Sequence, residues 1–375
     1  MNNASCVRVQ DAFPEPIDKA AVQGLLGFLY GCVMFMGLLG NILTLYCTVI
    51  MKISVGIDPA YILSLSLSNI LICITALPFT AIQTFSRVWL FGPTFCGAVP
   101  LFQAVGIFVS SFTLVGIAYD RYRQMKQMRV SGDMKRRWLV VLGMWGLAFA
   151  VSFPYFACMH LGPVPTGHLH PSTNQSIYYC GNFCSEEWPI PILQRFYSTS
   201  VLFIQFVLPL LVLIYCYGRL RSQVNAAVRR RLTHRLTAEA KARVMERQAK
   251  TSKVTTMLFV GFIGPWLPFN LLSIAHSLHL SLIPEDFFSL VFALFHLVAM
   301  TSAMWNPIIY CWMNSEFKAT LRRVFRGSRE SAAAARLKYS NPTTAQPSAL
   351  PGNDSGPTAH LILRGQPEDA NQQLL

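Results

Sequence analysis

The chain has 375 residues, of which 53% are hydrophobic and only 13% charged, yet its net charge is +14. A soluble domain is about one quarter charged residues, and a disordered chain has low hydrophobicity, so the composition excludes disorder and argues against a DNA-binding protein. The few charges must be crowded into short segments, which is typical of a protein that crosses a membrane several times.

Seven stretches of the chain lack Asp, Glu, Lys and Arg, and each holds at least 20 residues rich in Leu, Ile, Val and Phe. A helix of that length crosses about 30 Å of hydrocarbon. A closed barrel would instead need alternating segments of about 10 residues, a pattern that the sequence lacks. We therefore predict an all-α membrane protein with seven transmembrane helices, near residues 22–51, 58–84, 93–126, 136–160, 190–222, 246–279 and 285–313.

The segments outside this bundle (22–313) differ in composition. Residues 1–21 are polar and acidic without an apolar signal segment, and we assign them to the extracellular N-terminus. Residues 315–326 alternate apolar and basic side chains, which predicts a short amphipathic eighth helix on the inner leaflet; a loop with scattered bases is the alternative. Residues 327–375 are rich in Ser, Ala and Pro and predict a disordered cytoplasmic tail.

The distribution of charge between the segments predicts the orientation. With the N-terminus outside, the outer segments carry four basic and seven acidic residues, and the inner segments carry 27 basic and 10 acidic residues. Basic residues concentrate in cytoplasmic segments of membrane proteins. The N-terminus is therefore predicted to be extracellular, in the plasma membrane, and the C-terminus cytoplasmic. The sequons at Asn3 and Asn174 then lie outside and predict glycosylation there.

The spans carry little chemistry of their own. No carboxylate lies at mid-depth, which argues against a transporter, pump or channel, and no catalytic motif marks an enzyme or a cofactor site. His276 and His279 are three residues apart, but two ligands without a third do not predict a metal site. Nucleic acid is not expected as a partner.

Four of the ten cysteines lie on or near the predicted outer face, where disulfides persist. They are Cys6, Cys96, Cys180 and Cys184, and they allow three pairings. Pairing Cys96 with Cys184 would tie the third helix to the loop before the fifth, and would leave Cys6 with Cys180 as a possible second bridge.

Several short motifs occur in order along the spans. Asp120-Arg121-Tyr122 ends the third, Trp266-Leu267-Pro268 lies in the sixth, and Asn306-Pro307-Ile308-Ile309-Tyr310 ends the seventh. Gly40-Asn41, Trp145, Pro209 and Tyr217 stand in the first, fourth and fifth spans. Over residues 22–326 the chain resembles the rhodopsin-like (class A) G-protein-coupled receptors.

Finer features resemble the neuropeptide Y and neuropeptide F receptors within that family. They are Cys184-Ser185-Glu186-Glu187-Trp188-Pro189, the segment from Phe295 to Met300, Trp312-Met313-Asn314-Ser315 and Gln103. Amine receptors carry Asp at the place of Gln103, so an amine ligand is not expected. The seventh span has no lysine, which excludes a retinal Schiff base.

The resemblance implies an activation switch in the lower and central bundle. Asp120 would hold Arg121 at rest, and Arg121 with Tyr217 would line the pocket for the G protein. Trp266 and Phe262 beside the Pro268 kink would couple the ligand to movement of the sixth helix. The same switch includes Tyr122, Asn306, Pro307 and Tyr310.

Three positions depart from the family pattern. Pro265 is a second proline beside the kink, and Gln248 stands where an acidic partner of Arg121 is common. The family usually has Asp at position 69, where it forms a sodium site with residues that match Ser110 and Asn306. Asn69 is neutral, so we predict weak or absent modulation by sodium.

The resemblance also implies a ligand site in the outer half of the bundle. Its polar candidates are Gln103, Thr80, Gln83, Ser273, His276 and His296, beside Trp188, Phe269 and Phe292. Peptides of this family commonly end in an amidated Arg-Phe or Arg-Tyr pair, whose guanidinium needs an acid. Ser277 stands where vertebrate receptors supply it. We favour Glu186 and either Glu285 or Asp286; a solvated acidic rim is the alternative.

The predicted function is a neuropeptide receptor that activates a heterotrimeric G protein, of the inhibitory class by family resemblance. A class A receptor for a small molecule or a lipid is the alternative, and a transporter or channel is a weaker one. Arrestin and a receptor kinase are further partners that the family implies.

Overall fold

The structure is a computed structural model of the full chain. It describes residues 6–53, 57–127, 134–169, 176–212, 214–215, 218–219, 238–277, 283–313, 315, 317–323 and 326. The predicted glycosylation sites Asn3 and Asn174, the residue Tyr217 and the predicted tail from 327 onward lie outside these residues, as do the side chains of Arg121 and Glu285.

Seven helices are long and apolar enough to cross a membrane, which confirms the predicted fold class. We number the spans in chain order. They are formed by Ala20–Val49, Pro59–Ser86, Gly92–Gln127, Met134–Cys158, Pro191–Leu202 with its continuation to Val212, Ala238–Ser277, and Phe288–Met300 with Ser302–Met313. Leu25, Phe28 and Phe35 are more than 60% exposed on the first span, as expected for side chains that face lipid.

The helix ends differ from the predicted ones where local chemistry decides them. The described part of the sixth helix starts at Ala238, eight residues before the predicted start, and residues 220–237 lie outside the described residues. The seventh begins at Phe288, after a 3-10 turn at Glu285–Phe287. The fourth ends at Cys158 because a strand starts at the next residue.

Two spans depart from regular α-helix. The fifth contains a π-helical segment, Phe203–Val207, and the backbone oxygen of Gln205 at its centre accepts a bond from Ser111 Oγ at 2.8 Å. Segments of this kind are frequent at functional sites. The seventh span is interrupted at Thr301, between Phe288–Met300 and Ser302–Met313.

Small residues let the first three spans pack closely. A Cβ atom added at Gly37 would lie 2.6 Å from Cys73 Sγ, and one at Gly106 would lie 2.7 Å from the Ile72 side chain. A larger residue at either glycine would therefore push the helices apart, as is typical of membrane bundles that use small residues at helix contacts.

The segment between the fourth and fifth spans forms two short antiparallel sheets. β1 (Met159–Gly162) pairs with β4 (Phe183–Glu186), and β2 (Pro165–Leu169) pairs with β3 (Ser176–Tyr178). Disulfides join Cys96 to Cys184 and Cys6 to Cys180, the pairing that the sequence left open among three. We call the end of the bundle that carries these two disulfides the bridged face.

The described part of the predicted eighth helix is helical and amphipathic. Phe317 and Thr320 are buried, whereas Lys318, Arg322 and Arg323 are exposed. Residues 316, 324 and 325 of that prediction lie outside the described residues.

Candidate ligand-binding site

A cavity of about 570 Å³ lies between the third, fourth, fifth, sixth and seventh spans in the half of the bundle nearest the bridged face. Trp266, Phe269 and Phe292 supply large aromatic walls. Its polar lining consists of Gln103, Tyr155, Ser198, Thr199, Gln205, Asn270, Ser273 and His276. An apolar pocket with a few convergent polar groups is the usual form of a ligand site.

Three of the predicted binding residues line this cavity. Gln103 comes from the third span, and Ser273 and His276 come from the sixth. Ser273 Oγ donates to the backbone oxygen of Phe269 at 3.0 Å, and the His276 ring lies 5.1 Å from the Phe288 ring. The structure therefore brings together residues that are 170 positions apart in the chain.

His296 is placed differently from the prediction. It is 1% exposed and lies behind the cavity wall, with its ring centroid 5.8 Å from Phe269 and 6.1 Å from Phe292. Its Nδ1 atom is 3.0 Å from the hydroxyl of Tyr30 on the first span. In the structure it packs against two lining rings without lining the cavity itself, and its role in ligand binding stays a prediction.

Thr80 and Gln83 also fall outside the cavity. Both belong to the second span, which contributes none of the residues that line the cavity in the described part of the chain. The backbone oxygen of Thr80 accepts from Thr84 Oγ1, and that of Gln83 accepts from the nitrogen of Arg87. Their role in ligand binding stays a prediction that this cavity does not support.

Among the predicted acids, Glu186 is connected to the cavity lining through neighbouring aromatic rings. It ends β4, and its Oε2 atom accepts bonds from Trp188 Nε1 at 3.1 Å and from Gln194 Nε2 at 3.2 Å. The Trp188 ring lies 5.1 Å from Tyr197, whose ring lies 5.3 Å from Tyr155 in the cavity lining. Trp188 itself is therefore an orienting residue for Glu186, and not part of the lining.

The other acids of the predicted rim are described only in part, since the side chain of Glu285 lies outside the described residues. Glu187 and Asp286 are exposed, as the alternative of a solvated acidic rim predicts. The backbone of Glu285 begins a 3-10 turn before the seventh span.

The predicted switch residues in the sixth span form a continuous aromatic stack below the cavity. Trp266 is 2% exposed and lines the cavity, and its Nε1 donates to Ser302 Oγ at 3.0 Å. The Phe262 ring lies 6.2 Å from Trp266 and 6.2 Å from Phe206 of the π-helical segment. Pro268 lies within this helix, half a turn from Trp266.

The switch residues at the other end of the bundle are partly described. Tyr122 lies 6.4 Å from Tyr215, ring to ring. Tyr310 is 1% exposed, and its ring lies 6.4 Å from the ring of Phe317. Pro307 packs closely on Gly40, since a Cβ atom added at Gly40 would lie 2.9 Å from the Pro307 side chain. Asp120 ends the part of the third span that is apolar enough to cross the membrane.

The predicted degenerate sodium site is a buried network of neutral groups. Asn69 Nδ2 donates to Asn41 Oδ1 at 3.1 Å, and Asn41 Nδ2 donates to the backbone oxygen of Ala303 at 2.8 Å. Ser110 is fully buried, and its Oγ lies 2.9 Å from Ser68 Oγ. Asn306 is also buried. A cation among these groups would have no carboxylate to balance its charge.

Five polar residues of the cavity were missed by the sequence analysis: Tyr155, Ser198, Thr199, Gln205 and Asn270. Asn270 donates to the backbone oxygen of Trp266 at 2.8 Å, which places it one turn above the switch. A search for amide side chains inside apolar spans would have found Asn270 and Gln205. It would not have shown which way Gln205 faces, because the π-helical segment shifts the register of the fifth span.

The described residues contain no group of three or more His, Cys, Asp or Glu that could hold a metal ion. His279, the second histidine of the predicted pair, lies outside them.

Comparison with known proteins gives a consistent set of relatives. Residues 40–310 match the model of the "7 transmembrane receptor (rhodopsin family)". Neuropeptide receptor 3 of Caenorhabditis elegans is 31% identical over 338 residues, covering 87% of this chain and 85% of that protein. Neuropeptide Y receptor type 2 of Homo sapiens is 28% identical over 325 residues, covering 85% and 81%. Neuropeptide Y receptor type 6 of Oryctolagus cuniculus is 32% identical over 308 residues, covering 79% of each chain.

Proposed function

Because the chain belongs to the rhodopsin family of seven-transmembrane receptors, we propose that it binds a neuropeptide ending in an amidated Arg-Phe or Arg-Tyr pair. It is a multi-pass plasma-membrane protein of a receptor family that is not enzymatic. In this proposal the bridged face is extracellular, as the excess of basic residues in the other segments supports. The signal passes to a heterotrimeric G protein of the inhibitory class at the opposite end.

The observation that carries the proposal is the position of Glu186 above an aromatic cavity. A terminal Phe or Tyr amide fits between Trp266, Phe269 and Phe292, where burial of its ring is favourable. The preceding arginine then reaches toward the rim, where Glu186 lies beside Trp188.

Glu186 is suited to a guanidinium because its present partners are neutral. The indole of Trp188 and the amide of Gln194 both donate to Oε2, which orients the carboxylate without cancelling its charge. A carboxylate can accept two parallel bonds from arginine, and such charge-assisted pairs are stronger than neutral ones.

Transmission starts at the floor of the cavity. A ligand that displaces Trp266 also moves Phe262, which is stacked between Trp266 and Phe206. The two prolines at 265 and 268 remove hydrogen bonds from the same stretch of the sixth span, so this is where the helix bends most easily. Arg121 at the far end of the third span is the group expected to receive the G protein.

The alternative is a class A receptor for a small molecule or a lipid. The cavity volume of about 570 Å³ is in the range of drug-sized ligands, which favours this alternative by size alone. The names of the relatives and the acid at the rim favour the peptide.

The test is a screen of short amidated Arg-Phe and Arg-Tyr peptides on cells that express the full chain, with cyclic-AMP inhibition as the response. Each peptide is matched by two controls, its free C-terminal acid and a version with neutral citrulline for arginine. We expect the amidated arginine peptides alone to respond at submicromolar concentration. Equal potency of the citrulline peptides would contradict arginine recognition, and responses to lipids without any peptide response would favour the alternative.

A further inference from the structure

We propose that residues 6–19 form a strap across the bridged face, and that the guanidinium of Arg87 is the latch that holds it closed. The strap is anchored covalently at its start by the Cys6–Cys180 disulfide. Beside this bridge, Val7 N donates to the oxygen of Tyr178 at 3.2 Å and Cys180 N donates to the oxygen of Val7 at 2.9 Å. The N-terminal segment thereby extends the edge of the loop sheet. This proposal goes beyond ligand recognition and does not depend on it.

Arg87 binds three groups of the strap at once. One guanidinium nitrogen donates to the backbone oxygen of Phe13 at 2.6 Å and lies 3.3 Å from Asp18 Oδ2, and the other pairs with Glu15 Oε1. The side chains of Arg87 and Glu15 are only 13% and 6% exposed. A planar fork with several donors can satisfy three acceptors in this arrangement, whereas a lysine cannot.

The backbone conformation of Arg87 is one that favours glycine, so the contacts of its side chain explain why an arginine stands at this position. Arg87 caps the second span in the left-handed conformation, with φ of +56°. Glycine is the residue that fits this place without steric cost, and it is the usual one there. The three strap contacts of the Arg87 side chain offset the steric cost of this conformation.

Glu15 extends the latch to the seventh span. Its Oε2 atom accepts from the backbone nitrogen of Ser289 at 3.0 Å, and its Oε1 atom accepts from Ser289 Oγ at 2.8 Å. Ser289 lies in the first turn of the seventh span, where a helix has unpaired backbone N–H groups that favour a carboxylate. Arg87, Glu15 and Ser289 therefore connect the end of the second span to the start of the seventh.

The strap closes one side of the bridged face. Between Glu15 and Lys19 the chain makes a 3-10 turn, and Ile17 within it is fully buried. The second span, whose end the strap holds, contributes none of the described residues that line the cavity. Release of Arg87 and Glu15 therefore uncovers the start of the seventh span at Ser289.

The test measures hydrogen exchange of the amides of residues 15–19 in the purified full-length protein. The Arg87→Gly variant keeps the helix end relaxed and removes the guanidinium, and Glu15→Gln removes the charge of its partner. We expect exchange to be about tenfold faster in both, because exchange at these amides requires local opening of the strap. Arg87→Lys should fall between them and the unmodified protein.

Chemical rescue separates a guanidinium latch from a general loss of structure. Guanidinium chloride at a few millimolar should slow the exchange of Arg87→Gly, whereas equal sodium chloride should not. Unchanged exchange in both variants, or fast exchange that guanidinium does not slow, would overturn the proposal and leave the disulfide and Ile17 as the anchors.

Thiol labelling supplies a second measurement. Cysteine introduced at Ser289 should react slowly with a membrane-impermeant thiosulfonate, and at least severalfold faster when Arg87→Gly is also present. Leu90→Cys is the matched control, since Leu90 is 63% exposed on the same face and its labelling rate should not change. Equal rates at Ser289→Cys with and without Arg87 would contradict the uncovering of the seventh span.

Discussion

Two acidic side chains on the bridged face, Glu15 and Glu186, have opposite surroundings. Glu15 is bound by the cation of Arg87 and by two donors from Ser289, so its charge is already neutralised within the chain. Glu186 is bound by the neutral donors of Trp188 and Gln194, which fix its orientation and leave its charge in place. An acid paired with an internal cation stabilises the fold, whereas an oriented acid without one is suited to attract a cationic ligand.

The largest effect that this contrast predicts is a loss of folding stability when Glu15 is replaced. In Glu15→Ala the buried guanidinium of Arg87 loses its main partner, and breaking a buried pair costs about 3 kcal/mol. We expect the free energy of unfolding to fall by this amount in thermal melts of the purified receptor, while Glu186→Ala lowers it by less than about 1 kcal/mol. Equal losses in the free energy of unfolding for Glu15→Ala and Glu186→Ala would contradict this difference between the two acids.

The next effect is on ligand potency, at Glu186. Glu186→Gln keeps the size and polarity of the side chain and removes its charge, so the amidated arginine peptide should lose about 10- to 100-fold in potency. Glu187→Gln is the matched control, because Glu187 is the neighbouring acid and is exposed. Cyclic-AMP concentration–response curves measure both. A loss of similar size at position 187 would show that only the general acidity of the rim matters.

A smaller effect should follow from loss of the orienting bond. Trp188→Phe removes the indole N–H that donates to Glu186 while keeping a ring against Tyr197. Because a hydrogen bond to a charged group contributes about 1.5 kcal/mol, potency should fall about tenfold. The loss should vanish in the Glu186→Gln background, which a double-mutant cycle tests. Additive losses would place Trp188 in direct contact with the ligand.

The smallest expected effect is that of sodium on peptide affinity, at position 69, where this chain has Asn in place of an acid. Asn69 donates to Asn41, whose own amide is directed at Ala303. Asp at position 69 would put two acceptors face to face, and a bound sodium ion would relieve that repulsion. We expect sodium chloride, against potassium chloride, to change peptide affinity only in Asn69→Asp, by a few fold, and Ser110→Ala to abolish the change. A sodium effect in the unmodified protein would contradict the prediction.

The sequence predicted the spans because membrane insertion leaves long stretches without charge, and these can be counted without any knowledge of packing. The cavity was predicted in part: Gln103, Ser273 and His276 line it, and they were chosen as polar residues in the outer halves of the helices, where the family resemblance places the ligand. His296 packs against Phe269 and Phe292 and is not among the lining residues, because the sequence does not show which side chains of a span face a cavity.

The latch could not be predicted because its members are far apart in the sequence. Arg87 and Glu15 are 72 residues apart and Glu15 and Ser289 are 274 residues apart. In the sequence, Arg87 and Glu15 only contributed to the net charge of the predicted outer segments. Their pairing depends on how a polar N-terminal segment folds back over the helix ends, which hydropathy does not report.

The interruption of the seventh span at Thr301 bears on which helices would move with Trp266 in the proposed activation. Ser302, the first residue after the break, accepts the 3.0 Å bond from the indole of Trp266, so the sixth span is attached to the lower segment of the seventh. A shift of Trp266 by about 1 Å either breaks this bond or moves that segment with it. Asn306, Pro307 and Tyr310 all lie in this second segment of the seventh span. In the activation that we propose, a displacement of Trp266 is therefore passed to the seventh span as well as to the sixth.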